Sequence, residues 1–344
     1  MEKNQFKPQS EKTFLVNNSS FSQNDSPLIK SSWVSRFFLL PIVILNLFIF
    51  IFGPENSRGQ AISSVDDFGH RLELKGCPQK IISLAPNLTE ILFSLGLNQQ
   101  VIGVTRFCDY PPEARSKEII GGLIDPNLEK IEFLQPDLVL GFRGNSRPVL
   151  ENLYNRHLPL AAFNIGKTFD DLFQLITKIA QLTCRQEQSL KLISDLQSRL
   201  KIIDSSLSHL KLKNPRPKVF LTLYGQGSGL WTCGGDSYLN YLLEKAMVKN
   251  VASNLRGNWL TYSREKLIKD DPEIILILSQ NREIFNQAKQ WFLSQSVLKK
   301  IKAVKNEHFI FLDENLFSRF GPRLVEAYEQ LIKALYPELS LEEK

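Results

Sequence analysis

Two segments of this chain repeat one pattern at a fixed distance, and this repeat constrains the fold more than any other feature. Each copy begins with a glycine, continues with Glu-Lys and an apolar residue, and then reaches proline, an acidic residue and an apolar run. The copies span residues 121–140 and 257–276, an offset of 136 residues. Two copies of one unit predict two similar lobes, with Glu129 and Glu265 at equivalent positions.

Apolar runs that alternate with helical patterns surround both copies. In the first half of the chain, runs typical of buried strands lie at residues 81–84, 101–104, 138–140 and 160–163. In the second half they lie at residues 219–221, 274–278 and 309–312. Asn87 and Glu90, just after the first run, have the spacing of a helix N-cap signature. Strands that alternate with helices at this spacing predict parallel α/β sheets.

The segment between the two halves predicts one long amphipathic helix. From Thr168 to about Leu212 the apolar residues step by three and four, and an unbroken helix of about 45 residues would be about 65 Å long. One stiff helix between lobes predicts a cleft that closes little. The predicted domains are an N-terminal α/β lobe at residues 62–167, a connecting helix at 168–213 and a C-terminal α/β lobe at 214–338.

The N-terminal part differs in composition from the rest. Residues 1–36 are mostly polar, without a hydrophobic period, and predict a disordered tail. Residues 37–52 form a nearly continuous apolar run. As a helix this run would span about 24 Å, less than a hydrocarbon core of about 30 Å. It therefore predicts a signal-peptide apolar region, with cleavage after Ala61, or a short membrane anchor. Both alternatives export the remainder to the periplasm or to the outer face of the cytoplasmic membrane.

Charge and cysteine usage exclude several function classes. The net charge of +6 is spread over 344 residues without a dense basic run, which argues against a nucleic-acid partner. The four cysteines, Cys77, Cys108, Cys184 and Cys233, form no Cys-x-x-Cys pair, so no zinc or thioredoxin-type site is predicted. An exported compartment permits disulfides, and their pairing stays open. No Ser–His–acid arrangement is visible, so we expect no catalytic residues and no enzyme activity.

Several motifs resemble the substrate-binding proteins of iron-siderophore and vitamin B12 ABC importers. They are KIISLAPNLTE at residues 80–90, GVTRFCDYPP at 103–112 and NLEKI at 127–131, with further matches around Trp259 and Arg319. The resemblance covers roughly residues 62–335. It implies a class III periplasmic-binding-protein-like fold, in which two α/β lobes are joined by a long helix. It also implies a binding protein without a cofactor or bound metal, which carries its ligand as cargo.

The resemblance also implies where ligand and transporter bind. The ligand lies between the lobes, at the loops that follow the strands. The implied ligand-binding positions are Phe107, Phe142, Tyr224, Trp259, Phe317 and Arg319. Glu129 and Glu265 match the family's docking glutamates, which pair with arginines of a permease dimer that works with ATPase subunits. The implied ligand is cobalamin or a related corrinoid, whose flat ring aromatic side chains can cover.

Two alternatives stay open. Leu123, Asn315 and Ser318 stand where the family's cobalamin binders have tryptophan, aspartate and glutamate, which predicts a different corrinoid or weaker binding of cobalamin. Within the same family the cargo could instead be a ferric siderophore or haem. Binding of an anionic siderophore usually requires several basic side chains in the cleft. The candidates here are only Arg319, Arg106 and Arg143. The other alternative is a metal-cluster enzyme with paired α/β lobes. Such an enzyme needs converging cysteine or histidine ligands, and Cys108 and Cys233 without a histidine partner make a poor site.

Overall fold

The computed structural model of the chain describes residues 61–210, 216–224, 229–339 and 341. They belong to one compact unit, Arg58–Lys344. The predicted tail at residues 1–36 and the apolar run at 37–52 lie outside the described residues. Among the helices of the described part, none is long and apolar enough to cross a membrane.

The N-terminal lobe is built on a five-stranded parallel sheet with strand order β5-β4-β3-β6-β7. A hairpin of β1 (Ile62–Val65) and β2 (Arg71–Leu74) precedes this sheet. The sheet strands are β3 (Ile81–Ser83), β4 (Val101–Val104), β5 (Glu118–Ile119), β6 (Leu138–Phe142) and β7 (Leu160–Phe163). The helices are α1 (Pro86–Ser94), α2 (Leu128–Leu134) and α3 (Arg147–Asn155). The predicted parallel α/β lobe is confirmed.

The first helix does not use the predicted N-cap. Helix α1 begins at Pro86, and its N-cap residue Ala85 makes no side-chain capping bond. Asn87 is instead buried, and its amide donates to the carbonyl oxygen of Phe320 at 3.4 Å. The capping prediction for Asn87 and Glu90 is therefore wrong, because both side chains face the other lobe.

Two helices, not one, follow the N-terminal sheet. They are α4 (Phe169–Thr183) and α5 (Gln186–Ser208), and they pack against each other. Cys184 lies between them in a left-handed conformation, with φ of 55°, and forms a disulfide with Cys77. A left-handed residue ends an α-helix. The predicted uninterrupted helix at residues 168–213 is thus corrected, since apolar residues recur on both sides of the break and hide it.

The C-terminal lobe contains a six-stranded mixed sheet, with order β11-β9-β8-β12-β13 and with β10 beside β8. The strands are β8 (Lys218–Tyr224), β9 (Leu230–Cys233), β10 (Lys249–Asn250), β11 (Trp259–Tyr262), β12 (Ile274–Ser279) and β13 (Phe309–Asp313). The helices are α6 (Tyr238–Lys245), α7 (Arg264–Asp270), α8 (Arg282–Ser294), α9 (Lys302–Lys305), α10 (Glu314–Phe317) and α11 (Leu324–Leu335). Strands β8, β10, β12 and β13 are parallel, as predicted. Strand β9 runs antiparallel to both of its neighbours, β8 and β11. The link from β8 to β9 is too short for the helical crossover that a parallel pair would need.

One apolar cluster extends through both lobes. It contains Ile91 of α1, Ile176 of α4, Leu200 of α5 and Tyr328 of α11. Phe169, at the start of α4, also contacts Tyr328 across the lobes, with ring centroids 5.7 Å apart. Helices α4 and α5 therefore sit within a shared core rather than forming a free linker, which is consistent with the expectation of a cleft that closes little.

Candidate ligand-binding cleft and docking surface

Two aromatic side chains that the sequence assigns to the cleft are open to solvent. Phe107 lies in the loop after β4 and is 48% exposed, and Trp259 begins β11 and is 37% exposed. Tyr110, which the sequence does not single out, is exposed in the same loop as Phe107. Exposed aromatic side chains of this size often mark a binding surface. These three residues are therefore the best candidates for ligand contacts.

The other predicted aromatic positions differ in their exposure. Phe317 is 1% exposed and belongs to the core, so its side chain offers no surface to a ligand in this conformation. Phe142 is half-buried at the end of β6, and its ring lies against Gly144. Tyr224 ends β8, and its side chain falls outside the described part of the structure. The ligand contact of Phe317 therefore stays a prediction, and it requires the ring to become accessible from the cleft.

Arg319 lies where the two lobes meet. Its Nη1 is 3.0 Å from Glu90 Oε1 on α1 and 2.6 Å from Asp109 Oδ1 in the loop after β4. Its Nη2 donates to the carbonyl oxygen of Phe107 at 3.4 Å and to Asn315 Oδ1 at 3.3 Å. The structure therefore brings Arg319 to the backbone of Phe107, and it adds Glu90 and Asp109, two carboxylates that the sequence did not assign to the cleft.

A second arginine of the C-terminal lobe joins this group. Arg323 Nη1 is 3.6 Å from Glu90 Oε1, and its guanidinium lies 3.8 Å from the centre of the Tyr110 ring. Such stacking of a cation on an aromatic face is favourable. We call Glu90, Asp109, Arg319 and Arg323 the interlobe ion cluster. The available sequence signal was Arg323 after Pro322 in the family motif, but its partner was not predictable.

Burial and the contacts within the cluster shift the pKa values of Glu90 and Arg319. Burial of Glu90 raises the pKa of its carboxyl, although the bond and the charge of Arg319 act in the opposite direction. Burial would lower the pKa of Arg319, but its hydrogen bonds to Asp109 and Glu90 prevail and raise it. Glu90 Oε2 is buried and has no hydrogen-bond partner among the described residues. The cluster is therefore costly to bury and is held by several mutual contacts.

The predicted docking glutamates occupy matching sites on the two lobes. Glu129 lies in the first turn of α2 and Glu265 in the first turn of α7, and both are exposed. The N-cap of α2 is Asn127 and that of α7 is Ser263, and each side chain accepts a backbone bond from the third residue of its helix. The sequence repeat is thus a structural repeat.

Local bonds keep one docking carboxylate charged. A hydrogen bond from its own backbone amide and one from the Ser263 hydroxyl hold the pKa of Glu265 below its usual value. The positive end of the helix dipole also favours an anion at this position. Glu265 therefore carries a stable negative charge on the protein surface.

The two free cysteines, Cys108 and Cys233, are both buried. The thiol of Cys108 is buried beside the hydroxyls of Thr89 and Thr105, both at 3.2 Å, and burial raises its pKa. Burial raises the pKa of the Cys233 thiol to about 12. Within the described ranges, no group of three or more His, Cys, Asp or Glu side chains could hold a metal ion. These thiols therefore lack the reactive character that catalytic cysteines require.

Comparison with known proteins identifies the family. The model of the periplasmic binding protein family matches residues 81–316, so this chain belongs to that family. A vitamin B12-binding protein of Pectobacterium atrosepticum is 30% identical over 260 residues, which cover 75% of this chain and 88% of the relative. An ABC transporter substrate-binding lipoprotein of Bacillus subtilis is 28% identical over 280 residues, which cover 80% of this chain and 86% of the relative.

Solved structures agree on the fold. A possible iron-binding protein from Staphylococcus epidermidis superposes with a TM-score of 0.66 at 28% identity, covering 75% of this chain and 99% of the other. The vitamin B12-binding protein of Vibrio cholerae superposes with a TM-score of 0.64 at 24% identity, covering 75% and 96%. The protein is thus a substrate-binding protein of the ABC importer type rather than an enzyme, and its partners are a permease and ATPase subunits.

Proposed function

We propose that this protein captures cobalamin, or a related corrinoid, between its lobes and delivers it to an ABC importer. The observation that carries the proposal is the likeness to a vitamin B12-binding protein, which extends over both lobes. The exposed rings of Phe107 and Trp259 suit the faces of a flat corrin ring. Phe142 and Tyr224, at the ends of β6 and β8, are further proposed contacts. Phe317, which is buried in this conformation, is also a proposed contact.

Delivery requires docking, for which we assign Glu129 and Glu265. Their equivalent, exposed positions on two lobes suit a permease dimer with two-fold symmetry. Pairs between glutamate and arginine orient a docking protein and speed its encounter. We also propose that residues 37–52 export the chain, as a signal peptide or as an anchor, so that it works in the periplasm or at the outer face of the cytoplasmic membrane.

A ferric siderophore or haem is the second candidate cargo. Its support is the fold likeness to a heme-binding protein from Roseiflexus sp., with a TM-score of 0.67 at 24% identity over 75% of this chain and 98% of the other. Leu123 stands at the position of a tryptophan in the family's cobalamin binders, and this smaller side chain is compatible with a ligand ring other than cobalamin.

The test is a calorimetric titration of residues 62–344 with cyanocobalamin, haem and a ferric siderophore. We expect one cyanocobalamin per chain and weaker binding of the other two ligands. Trp259→Ala should weaken cobalamin binding by about tenfold to a hundredfold, since aromatic contacts dominate many binding sites. Phe133→Ala, which removes an exposed ring from α2, is the matched control and should change nothing. Tight siderophore binding without cobalamin binding would contradict the proposal.

A further inference from the structure

The interlobe ion cluster is formally neutral. Its two carboxylates, Glu90 and Asp109, come from the N-terminal lobe, and its two guanidinium groups, Arg319 and Arg323, come from the C-terminal lobe. An arginine that lines a cleft usually attracts anionic ligands, because its charge is permanent and its donors form a fork. Here that attraction is already cancelled inside the protein.

Arg319 has little capacity left for a ligand. Both terminal nitrogens of its guanidinium already have two acceptors each, and the residue is only 8% exposed. Three of these four acceptors belong to the N-terminal lobe. A ligand carboxylate could pair with Arg319 only by displacing one of them.

Asp109 is the acceptor that such a ligand would meet. Glu90 is 2% exposed and lies between both arginines, so it is shielded from the cleft. The Asp109 side chain is 34% exposed. In the loop after β4, Asp109 lies in sequence between the exposed aromatic residues Phe107 and Tyr110. An approaching anion therefore meets a carboxylate before it reaches the guanidinium, and like charges repel.

The remaining arginines add little positive charge. Arg106 forms an ion pair with Asp125. Arg143, after β6, is exposed and has no ion pair among the described residues. One uncompensated cation is fewer than an anionic siderophore requires, whereas a neutral ligand with amide edges requires none.

We propose that Asp109 determines the charge class of the cargo. By holding Arg319, it keeps the cleft close to neutral, so that the site accepts an uncharged, amide-edged ring and disfavours an anionic one. Specificity of this kind depends on a repulsive group as much as on attractive contacts. This inference rests on the proposed function and narrows it to neutral corrinoids.

The test compares Asp109→Asn with the unchanged full-length chain, using cyanocobalamin as a ligand without net charge and haem as a dicarboxylate. Asparagine keeps an acceptor for Arg319 and removes the negative charge. We expect the ratio of the haem Kd to the cobalamin Kd to fall by about tenfold, the order expected for one nearby charge. The haem affinity of the variant should also become more sensitive to salt. Glu132→Gln, which removes a carboxylate from the exposed ion pair with Arg156 of the N-terminal lobe, is the matched control and should leave the ratio within about twofold.

An unchanged ratio in Asp109→Asn would overturn the inference, as would an equal shift in Glu132→Gln. A folding defect alone would lower both affinities together, so it would not produce the expected change in their ratio. The proposed function fails separately, if the unchanged chain does not bind cyanocobalamin. The role of Asp109 survives that failure if Asp109→Asn still strengthens haem binding by about tenfold with the added salt sensitivity.

Discussion

At the scale of single residues, this protein buries charge and exposes aromatic rings at the same place. Glu90 and Arg319 are withdrawn from solvent where the lobes meet, while Phe107 and Tyr110 stand open beside them. Buried ion pairs stabilise weakly but resist the removal of one partner. The pairs therefore fix where the open rings stand more than they add to overall stability.

Glu90 should make stability depend on pH in an unusual direction. Its pKa is raised in the folded state, so between the unfolded and the folded pKa the folded protein holds a proton that the unfolded chain has lost. Its contribution to stability is therefore largest below the unfolded pKa and is lost as pH rises through the folded pKa. Relative to Glu90→Gln, the unchanged protein should lose unfolding free energy as pH rises above the unfolded pKa of glutamate, as measured by urea denaturation.

The control for this experiment is Glu151→Gln, which alters an exposed glutamate of α3 that pairs with Arg147. Its difference from the unchanged protein should not follow the same trend. A gain in the stability of the unchanged protein over Glu90→Gln with rising pH would show that attraction to the arginines exceeds the cost of burial.

The sequence could not have predicted these partners. Asn87 and Glu90 have capping spacing, and local spacing cannot reveal a residue more than 200 positions away that competes for the same side chain. Phe317 matched a ligand position by motif, but a motif does not report which side chains the core requires. Phe107 and Trp259 are both exposed, because Phe107 lies in a polar loop and Trp259 begins β11 directly after one, where an aromatic side chain has little core to join.

At the scale of elements, the helices are set by their ends. Helix α4 starts with a complete capping box, in which the Thr168 hydroxyl accepts from the Asp171 amide at 3.1 Å and Asp171 Oδ2 accepts from the Thr168 amide at 2.9 Å. Asp171 also accepts from the Lys167 amide at 2.8 Å. Burial would raise the pKa of Asp171, but these bonds prevail and lower it. Helix α4 therefore has a fixed start beside the junction of the lobes.

Asp171→Ala should lower the free energy of unfolding by about 1 kcal/mol at pH 7, the usual cost of a lost cap. The lowered pKa means that this stabilisation is present above the unfolded pKa and is lost as pH falls through the folded pKa. Denaturant unfolding at pH 7 and at pH 2 to 3 should show the loss only at pH 7. Asp170→Ala, next to it and exposed, is the control. Equal losses at both pH values would assign the effect to helix propensity.

The prediction of strands and helices succeeded where the hydrophobic pattern and the number of residues between strands indicated the same element. The alternation of strands and helices gave both lobes, because a parallel sheet needs long crossovers that leave a clear sequence spacing. The prediction of one continuous helix failed at Cys184, where one left-handed residue divides the connecting segment. The spacing of apolar residues does not indicate where the backbone φ angle becomes positive. The disulfide from Cys77 to Cys184, 107 positions apart, was equally hidden, since four cysteines allow several pairings.

At the scale of the whole molecule, the lobes are joined by more than their connecting helices. The shared apolar cluster, the interlobe ion cluster and a pair between Lys167 and Asp236 at 2.9 Å all link the two halves. Motion of one lobe against the other would break several of these contacts together. We therefore expect the spacing between Glu129 and Glu265 to vary little, which would suit a rigid docking partner.

Docking should depend on both glutamates at once. Glu129→Ala and Glu265→Ala should each weaken binding to the permease complex by about tenfold, and the double variant should lose cobalamin uptake, because two charge pairs at separate sites add. Cobalamin affinity should not change. The measurement is binding to, and uptake through, the reconstituted permease and ATPase complex. Glu283→Ala, an exposed glutamate in the first turn of α8, is the control. Loss of ligand affinity in the double variant would place these residues in the cleft instead.

We expect the cleft of this protein to accept a neutral corrinoid in preference to an anionic ring. Equilibrium dialysis of the protein against equimolar cyanocobalamin and haem measures this preference, with the absorbance of the retained ligand as the readout. About one cyanocobalamin should be retained per chain, with haem left free. Retention of haem with cyanocobalamin excluded would contradict it.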